Sequence, residues 1–257
     1  MISKNKVKYV RSLEMKKFRK ADAVFVAEGY KLVGDLLDVF ECTYLVATAE
    51  WLLAHDVWVH KLNNRGVEVD EVTEEELKRV SFQETPQQVL AVFKQPVYEV
   101  DVNVVAKKNL CLVLDDVQNP GNLGTIVRLA DWFGIEHIFC SKGCADIYNP
   151  KTVRATMGAM FKIKTTVIDS GASFIETMKA ANRRPIACAL SDNGMTLGVD
   201  DIYKTDIPIL GNEGHGVSDE TIEACGNTII IPMSGKTESL NAAAAAAIIL
   251  WEYSKIK

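Results

Sequence analysis

Ile231-Pro232-Met233-Ser234-Gly235-Lys236-Thr237-Glu238-Ser239-Leu240-Asn241, running straight into Ala242–Ala247, is the stretch that decides the fold. The apolar run Thr228–Ile231 reads as a strand, and it stops at Pro232, which has no N–H to continue a ladder. A loop carrying Gly235 follows. Ser239 and Asn241 then offer side-chain oxygens to the free N–H groups that open a helix. The alanines that follow favour helix and allow close approach to a neighbour. A final helix is expected over Ser239–Lys255.

Two earlier segments have the same build. Leu110–Leu114 is apolar on both faces, as a buried parallel strand is. It leads through Val117-Gln118-Asn119-Pro120-Gly121-Asn122-Leu123-Gly124 into a helix that carries Arg128. Ile207–Leu210 leads through Gly211-Asn212-Glu213-Gly214-His215-Gly216 into another. Further strands are expected at Ile135–Cys140, Ile163–Ile168 and Pro185–Leu190, with helices between most of them. The pattern predicts an α/β fold with a mostly parallel, doubly wound sheet, and ligands bind such sheets at the carboxyl ends of their strands.

Residues 1–95 alternate more finely. A basic helix is expected over about residues 3–20, with Val7, Val10, Leu13 and Phe18 facing inward. Strands follow at Ala23–Ala27, Thr43–Thr48, Gly66–Val72 and Val89–Phe93. Helices are expected at Gly29–Phe40 and Glu50–Ala54, and at Glu74–Val80, where Thr73 is the cap. This order predicts a small α/β domain over 1–95. A linker follows at 96–108, where Pro96 precedes valines mixed with acids, and the second domain covers 109–257.

Composition is that of an ordinary globular chain of 257 residues. No apolar run is long enough to span a membrane, and the charged start is unlike a secretory signal. Six scattered cysteines in apolar surroundings read as reduced thiols, which places the chain in the cytoplasm. His137, Cys140 and Cys144 lack a fourth ligand at suitable spacing, so no metal is expected. Net charge is −5, but the first twenty residues carry eight lysines and arginines against Glu14. A local basic patch of this kind can hold phosphates although the chain is acidic, because salt confines fields to roughly 10 Å. Lys4, Lys16, Lys17 and Lys20 are its candidate RNA contacts. Arg154, beside Lys151 in the Asn149–Ala159 segment, is a further one.

The Gly211–Gly216 spacing is G-x-x-G-x-G rather than the G-x-G-x-x-G of dinucleotide-binding folds, which argues against a nicotinamide cofactor. The three corners instead resemble, in order and wording, the motifs of the SpoU/TrmH family of RNA ribose 2′-O-methyltransferases, within the knotted SPOUT superfamily. The matching pieces are Asn119–Gly124 with Arg128, then Gly211–Gly216, then Ile231–Met233 with Ser239–Asn241. Residues 1–100 more distantly resemble that family's ribosomal-protein-like RNA-binding domain, chiefly at Phe25–Gly29. The resemblance implies a C-terminal trefoil knot, S-adenosylmethionine as cofactor, structured RNA (rRNA or tRNA) as substrate and a homodimer.

It also implies site residues. Gly211, Ile231 and Leu240 would contact the cofactor, with Leu190 and Met233 as further walls. Asn122, Arg128, Glu213, Ser239 and Asn241 would serve catalysis. The family's usual wording makes Arg128 a base, whereas a guanidinium is effectively never deprotonated and is better suited to clamping a phosphate and a developing alkoxide. Glu213 either orients Arg128 or is a carboxylate at a helix start. Where family members often continue Asn-Val-Ser, this chain has Asn241-Ala242-Ala243. Methylation of a base, rather than of ribose, is the competing reading within the superfamily.

Overall fold

The computed structural model describes residues 2–98, 110–191, 193–236 and 239–256. Most of the expected linker, including Lys107 and Lys108, and Thr237 and Glu238 of the last corner lie outside the described residues. The chain forms two compact units. One comprises residues 1–97 with 148–161, the other residues 98–147 with 162–257.

The first unit contains α1 (Lys4–Ser12), α2 (Lys16–Asp22), β1 (Val24–Glu28), α3 (Tyr30–Leu37), β2 (Cys42–Ala47), α4 (Ala49–Ala54), α5 (Asp56–Asn64), β3 (Glu68–Glu71), α6 (Glu74–Val80), β4 (Val89–Lys94) and, from later in the chain, α8 (Pro150–Ala155). Its sheet has the order β1-β4-β2-β3, antiparallel except between β2 and β3. Phe25 on β1 packs on Phe93 of β4, Phe40 and Tyr148. Thr73 and Glu76 close the capping box that starts α6.

The single basic helix expected at the start is two. Leu13 and Glu14 turn back on α1, and Met15 is extended before α2 begins. Arg19 of α2 is buried and donates to the carbonyls of Leu13 and Glu14 at 2.7 and 2.6 Å, which ties the break together. Phe18, expected inside, is exposed instead. One residue of misregister on a helix is enough to exchange two such neighbours. Helix α5 was not anticipated, because its mixture of polar and apolar residues, DVWVHKLNN, carries little periodic signal.

The second unit contains β5 (Leu112–Leu114), α7 (Pro120–Trp132), β6 (His137–Ser141), β7 (Lys164–Ile168), α9 (Gly171–Ala180), β8 (Arg184–Cys188), β9 (Met195–Thr196), β10 (Asp206–Leu210), α10 (Asp219–Cys225), β11 (Thr228–Ile230) and α11 (Ala242–Ser254). Its seven strands run in the order β7-β6-β5-β10-β8-β11-β9, and every recorded pairing is parallel. One face packs Val113, Phe139, Ala187, Ile207 and Ile209 against Phe174, Ile175 and Met178 of α9. The alternating residues Leu112, Leu114, Ile138 and Leu210 are equally buried on the other face. Helix α11 packs on α7 and β10. Tyr253 on α11 donates to buried Asp206, which Arg184 also grips at 2.7 and 2.9 Å. The final helix begins at Ala242 rather than Ser239, because the Asn241 side chain takes the cap. The two-residue strand β9 was too short to be read.

Candidate active site

Three strand-to-helix loops leave the carboxyl ends of β5, β10 and β11 in the second unit. In the first loop, Asn119 caps α7 by accepting from the N–H groups of Gly121 and Asn122, and Pro120 takes the first helical turn, where a missing N–H costs nothing. The second loop is a tight return: Asn212 and Gly216 exchange both backbone hydrogen bonds, at 2.8 and 3.0 Å. Gly211 is forced here. A Cβ would lie 2.1 Å from the Gly216 carbonyl carbon and the Val217 nitrogen. In the third loop, Asn241 caps α11 through Ala243 and Ala244.

Side chains join these loops. The Glu213 carboxylate accepts from the Asn122 side-chain amide at 2.9 Å and from the N–H groups of Asn119 and Gln118 at 3.1 and 3.2 Å. Asn122 in turn accepts from the Asn241 side-chain amide at 2.9 Å. One residue from each corner therefore stands in a single hydrogen-bonded line, Glu213–Asn122–Asn241. Partial burial raises the Glu213 pKa, but the Asn122 amide and the backbone donors more than offset this and hold it below the ordinary carboxylate value. Of the two roles considered for Glu213, the hydrogen bonds are those of the carboxylate at a helix start: it satisfies N–H groups at the start of α7 and fixes Asn122, with no bond to Arg128 among the described residues.

Arg128 sits further along α7 with an exposed guanidinium that forms no hydrogen bond or ion pair among the described residues. It shares a helix stripe with Gly121, Thr125 and Trp132. Ser239 is likewise exposed and makes no hydrogen bond among the described residues, so the Ser-Leu-Asn corner divides its work unequally. Leu190, Met233 and Leu240 are 67%, 56% and 50% exposed, unusually open for large apolar side chains. Leu190 follows β8, Gly211 follows β10 and Ile231 follows β11, three strands adjacent in the sheet.

Two supporting groups escaped the sequence reading. Asp116, at φ +62, accepts from the Asn212 amide through both its carbonyl and its carboxylate, which links the first two loops a second time. Buried Asp115 accepts from the Ser218 and Thr221 hydroxyls at 2.8 and 2.9 Å and so anchors the start of α10. The adjacent acids after an apolar strand were the available signal. His137 spends Nε2 on Thr166, and Cys144 donates to the Leu114 carbonyl. Among the described residues, no three His, Cys, Asp or Glu side chains are grouped to hold a metal. Among the same residues, no helix is long and apolar enough to cross a membrane.

Of the RNA-contact candidates, Lys4, Lys16, Lys17, Lys20 and Arg154 are all exposed on the first unit. Lys6, beside them in sequence, is engaged by Glu68 and Asp70.

Residues 109–251 match the SpoU rRNA Methylase family, over more than half of the chain. The chain belongs to that family. Residues 4–91 match the MRM3-like substrate binding domain. Among curated relatives, the 23S rRNA (guanosine(2553)-2′-O)-methyltransferase RlmP of Bacillus subtilis is 32% identical, over 96% of this chain and 94% of its own. Among solved structures, a TrmH-family protein from Porphyromonas gingivalis superposes with a TM-score of 0.84 at 38% identity, covering 98% of both chains. The AdoMet-bound rRNA methyltransferase from Sinorhizobium meliloti gives a TM-score of 0.86 at 31% identity, covering 98% of this chain and 95% of that one. The corners quoted from the sequence are therefore those of a SpoU methylase, and the parallel sheet beneath them is that family's fold.

Proposed function

We propose that this SpoU-family chain transfers a methyl group from S-adenosylmethionine to a ribose 2′-hydroxyl of structured RNA, ribosomal or transfer. The observation that carries the reading is the line Glu213–Asn122–Asn241, which ties three strand-end loops into one site. The open apolar side chains Leu190, Met233 and Leu240, with the strand-end backbone at Gly211 and Ile231, suit a nucleoside bearing a sulfonium side chain. S-adenosylmethionine, when bound, supplies an electrophilic methyl group for in-line displacement by oxygen.

What this chain's residues must then do is align the hydroxyl, favour its developing charge and exclude water. Arg128, whose guanidinium has no partner among the described residues, would be a planar double donor to the target phosphate and the developing alkoxide. Asn122 and Ser239 would hold the ribose. Glu213 and Asn241 act through Asn122 as positioning residues. The lowered pKa of Glu213 makes it a weak base, which fits that role.

Residues 1–95 would grip the RNA through Lys4, Lys16, Lys17, Lys20 and, from the later segment packed in the same unit, Arg154. Residues 96–108 would link this part to the methyltransferase domain at 109–257. The match of residues 4–91 to a substrate binding domain supports an RNA-gripping role for the first part. Family membership supports a trefoil knot in the C-terminal segment. Trp132, at 83% exposure, and Trp251, at 56%, with exposed Ile248, leave an apolar surface on two packed helices that a second copy would cover. Because Arg128 shares that stripe of α7 with Trp132, a homodimer would complete the site. Six free thiols fit a reducing cytoplasm.

The test is incubation with methyl-labelled S-adenosylmethionine and rRNA or tRNA transcripts, followed by alkaline hydrolysis. A 2′-O-methyl group blocks cleavage at its own phosphodiester, so label is expected in dinucleotides. Label in mononucleotides would mean base methylation and would overturn the ribose assignment.

A further inference from the structure

One cleft within the first unit sets Glu28 and Phe82, which have no part in the reaction above, beside Lys151 and Arg154. It is lined by Glu28 and Val26 of β1, Phe82 after α6, and Lys151, Val153 and Arg154 of α8. Its empty space of about 370 Å³ includes open solvent, so this is a shallow cleft that can take the edge of one base rather than a folded helix. The Glu28 carboxylate accepts the Phe82 N–H at 2.9 Å through Oε1 and the Ser81 hydroxyl through Oε2. A carboxylate oxygen can accept two hydrogen bonds, so each keeps one lone pair for a ligand.

Burial pushes the Glu28 carboxyl above its ordinary value, while Ser81, Phe82, Arg154 and Arg11 favour the ionised form. Lys151 and Arg154 are exposed, and their side chains form no hydrogen bond or ion pair among the described residues. Arg11 stands 5.4 Å from the Phe82 ring centroid and donates to the Ser81 carbonyl, which stiffens this side of the cleft.

A carboxylate among cations disfavours a bare phosphate. It favours a molecule that brings two N–H donors to the carboxylate and a phosphate to the cations. Guanine is the base that presents two adjacent donors, N1–H and the N2 amino group, on its Watson–Crick edge. Adenine and cytosine place an acceptor beside their single amino group, and uracil flanks its one N–H with carbonyls. Unstacked RNA bases are recognised by stacking on aromatic rings and by such edges.

We propose that this cleft reads a guanine base of the substrate RNA, its donor edge toward Glu28, its ring against Phe82, and its phosphate held by Arg154 and Lys151. The inference rests on the methyltransferase reading only for the source of the base, since a free guanine nucleotide presents the same chemistry.

The experiment is calorimetric titration of the full-length protein with the RNA pentamers UUGUU, UUIUU and UUAUU and with guanosine monophosphate. The guanosine pentamer is expected to bind roughly five- to a hundredfold tighter than the adenosine one, as for a good bidentate contact. Inosine, which lacks the N2 amino group, should fall between them. Glu28→Gln should erase the preference and leave UUAUU affinity unchanged, whereas Arg154→Ala should weaken all three pentamers by a similar factor.

Equal affinities for the three pentamers in the wild type would overturn the proposal. That comparison needs no variant, so poor folding of Glu28→Gln leaves the test decisive. Tight binding of the free nucleotide without a pentamer preference would also overturn it, by assigning the cleft to a metabolite. S-adenosylmethionine binding, titrated in the same samples, separates the two readings. Its presence alongside equal pentamer affinities sinks the cleft alone, while its absence sinks the methyltransferase reading.

Discussion

The Asn241 side-chain amide donates to the Asn122 side-chain oxygen across 2.9 Å, joining residues 119 positions apart in the chain. Asn122 passes the constraint to Glu213 through its own amide. An asparagine can serve both neighbours because it carries a donor and an acceptor on one planar group. Aspartate could accept from Asn241 but would set a second negative charge against Glu213.

Asn122→Asp is therefore expected to be more damaging than Asn122→Ala. The alanine variant should lose about 1 kcal/mol of stability, the usual worth of such a hydrogen bond. Urea unfolding of both variants checks the order. Equal stabilities for the two would show that the line contributes no electrostatic strain.

Glu213 makes a pH prediction. Its folded pKa lies below its unfolded one, so the unfolded chain takes up the proton first as pH falls. The stabilisation is full above the ordinary glutamate value of 4.5 and is lost as pH drops through the folded value. The stability gap between wild type and Glu213→Gln should be constant near neutrality and should shrink below about pH 4.5. Denaturant titrations at several pH values measure it, and a gap that widens on acidification would contradict the assignment.

Gly211→Ala tests the second corner. The added methyl group would meet two backbone atoms at 2.1 Å, and backbone cannot swing aside as a side chain can. A loss at or above the roughly 1–3 kcal/mol typical of overpacking is expected, together with weakened S-adenosylmethionine binding. Melting and calorimetry on one preparation report both. Unchanged values would mean that the Asn212–Gly216 return rearranges freely.

Arg128 separates clamp from base. If the guanidinium acts as a planar double donor, Arg128→Lys keeps the charge but loses the fork. Turnover should then fall on the order of a hundred- to a thousandfold, as when other preorganised donors are removed. Cofactor affinity should hardly move, since the contacts proposed for the cofactor do not include Arg128. Single-turnover methylation across pH is the measurement. Near-normal turnover by the lysine variant with a displaced pH profile would restore the base.

The elements that carry the site were legible in the sequence because their signals are local. Pro120 after Asn119, Asn241 before a run of alanines, and apolar segments buried on both faces each state their structure within a few residues. The break between α1 and α2 was not legible, because it is held by Arg19 reaching back to the carbonyls of Leu13 and Glu14 and becoming buried there. An arginine in a basic stretch reads as solvated until its carbonyl partners are known.

What the sequence determined by itself was the class of fold, the three corners and the residue types gathered at them. What only the tertiary structure decided was which of those residues meet: Glu213 with Asn122 rather than Arg128, and Asn241 with Asn122, while Ser239 has no hydrogen bond among the described residues. The reason is physical. Periodicity and capping are set by neighbours along the chain. Contacts between loops are set by strand order, which places β10 beside β5 and brings its loop against the start of α7.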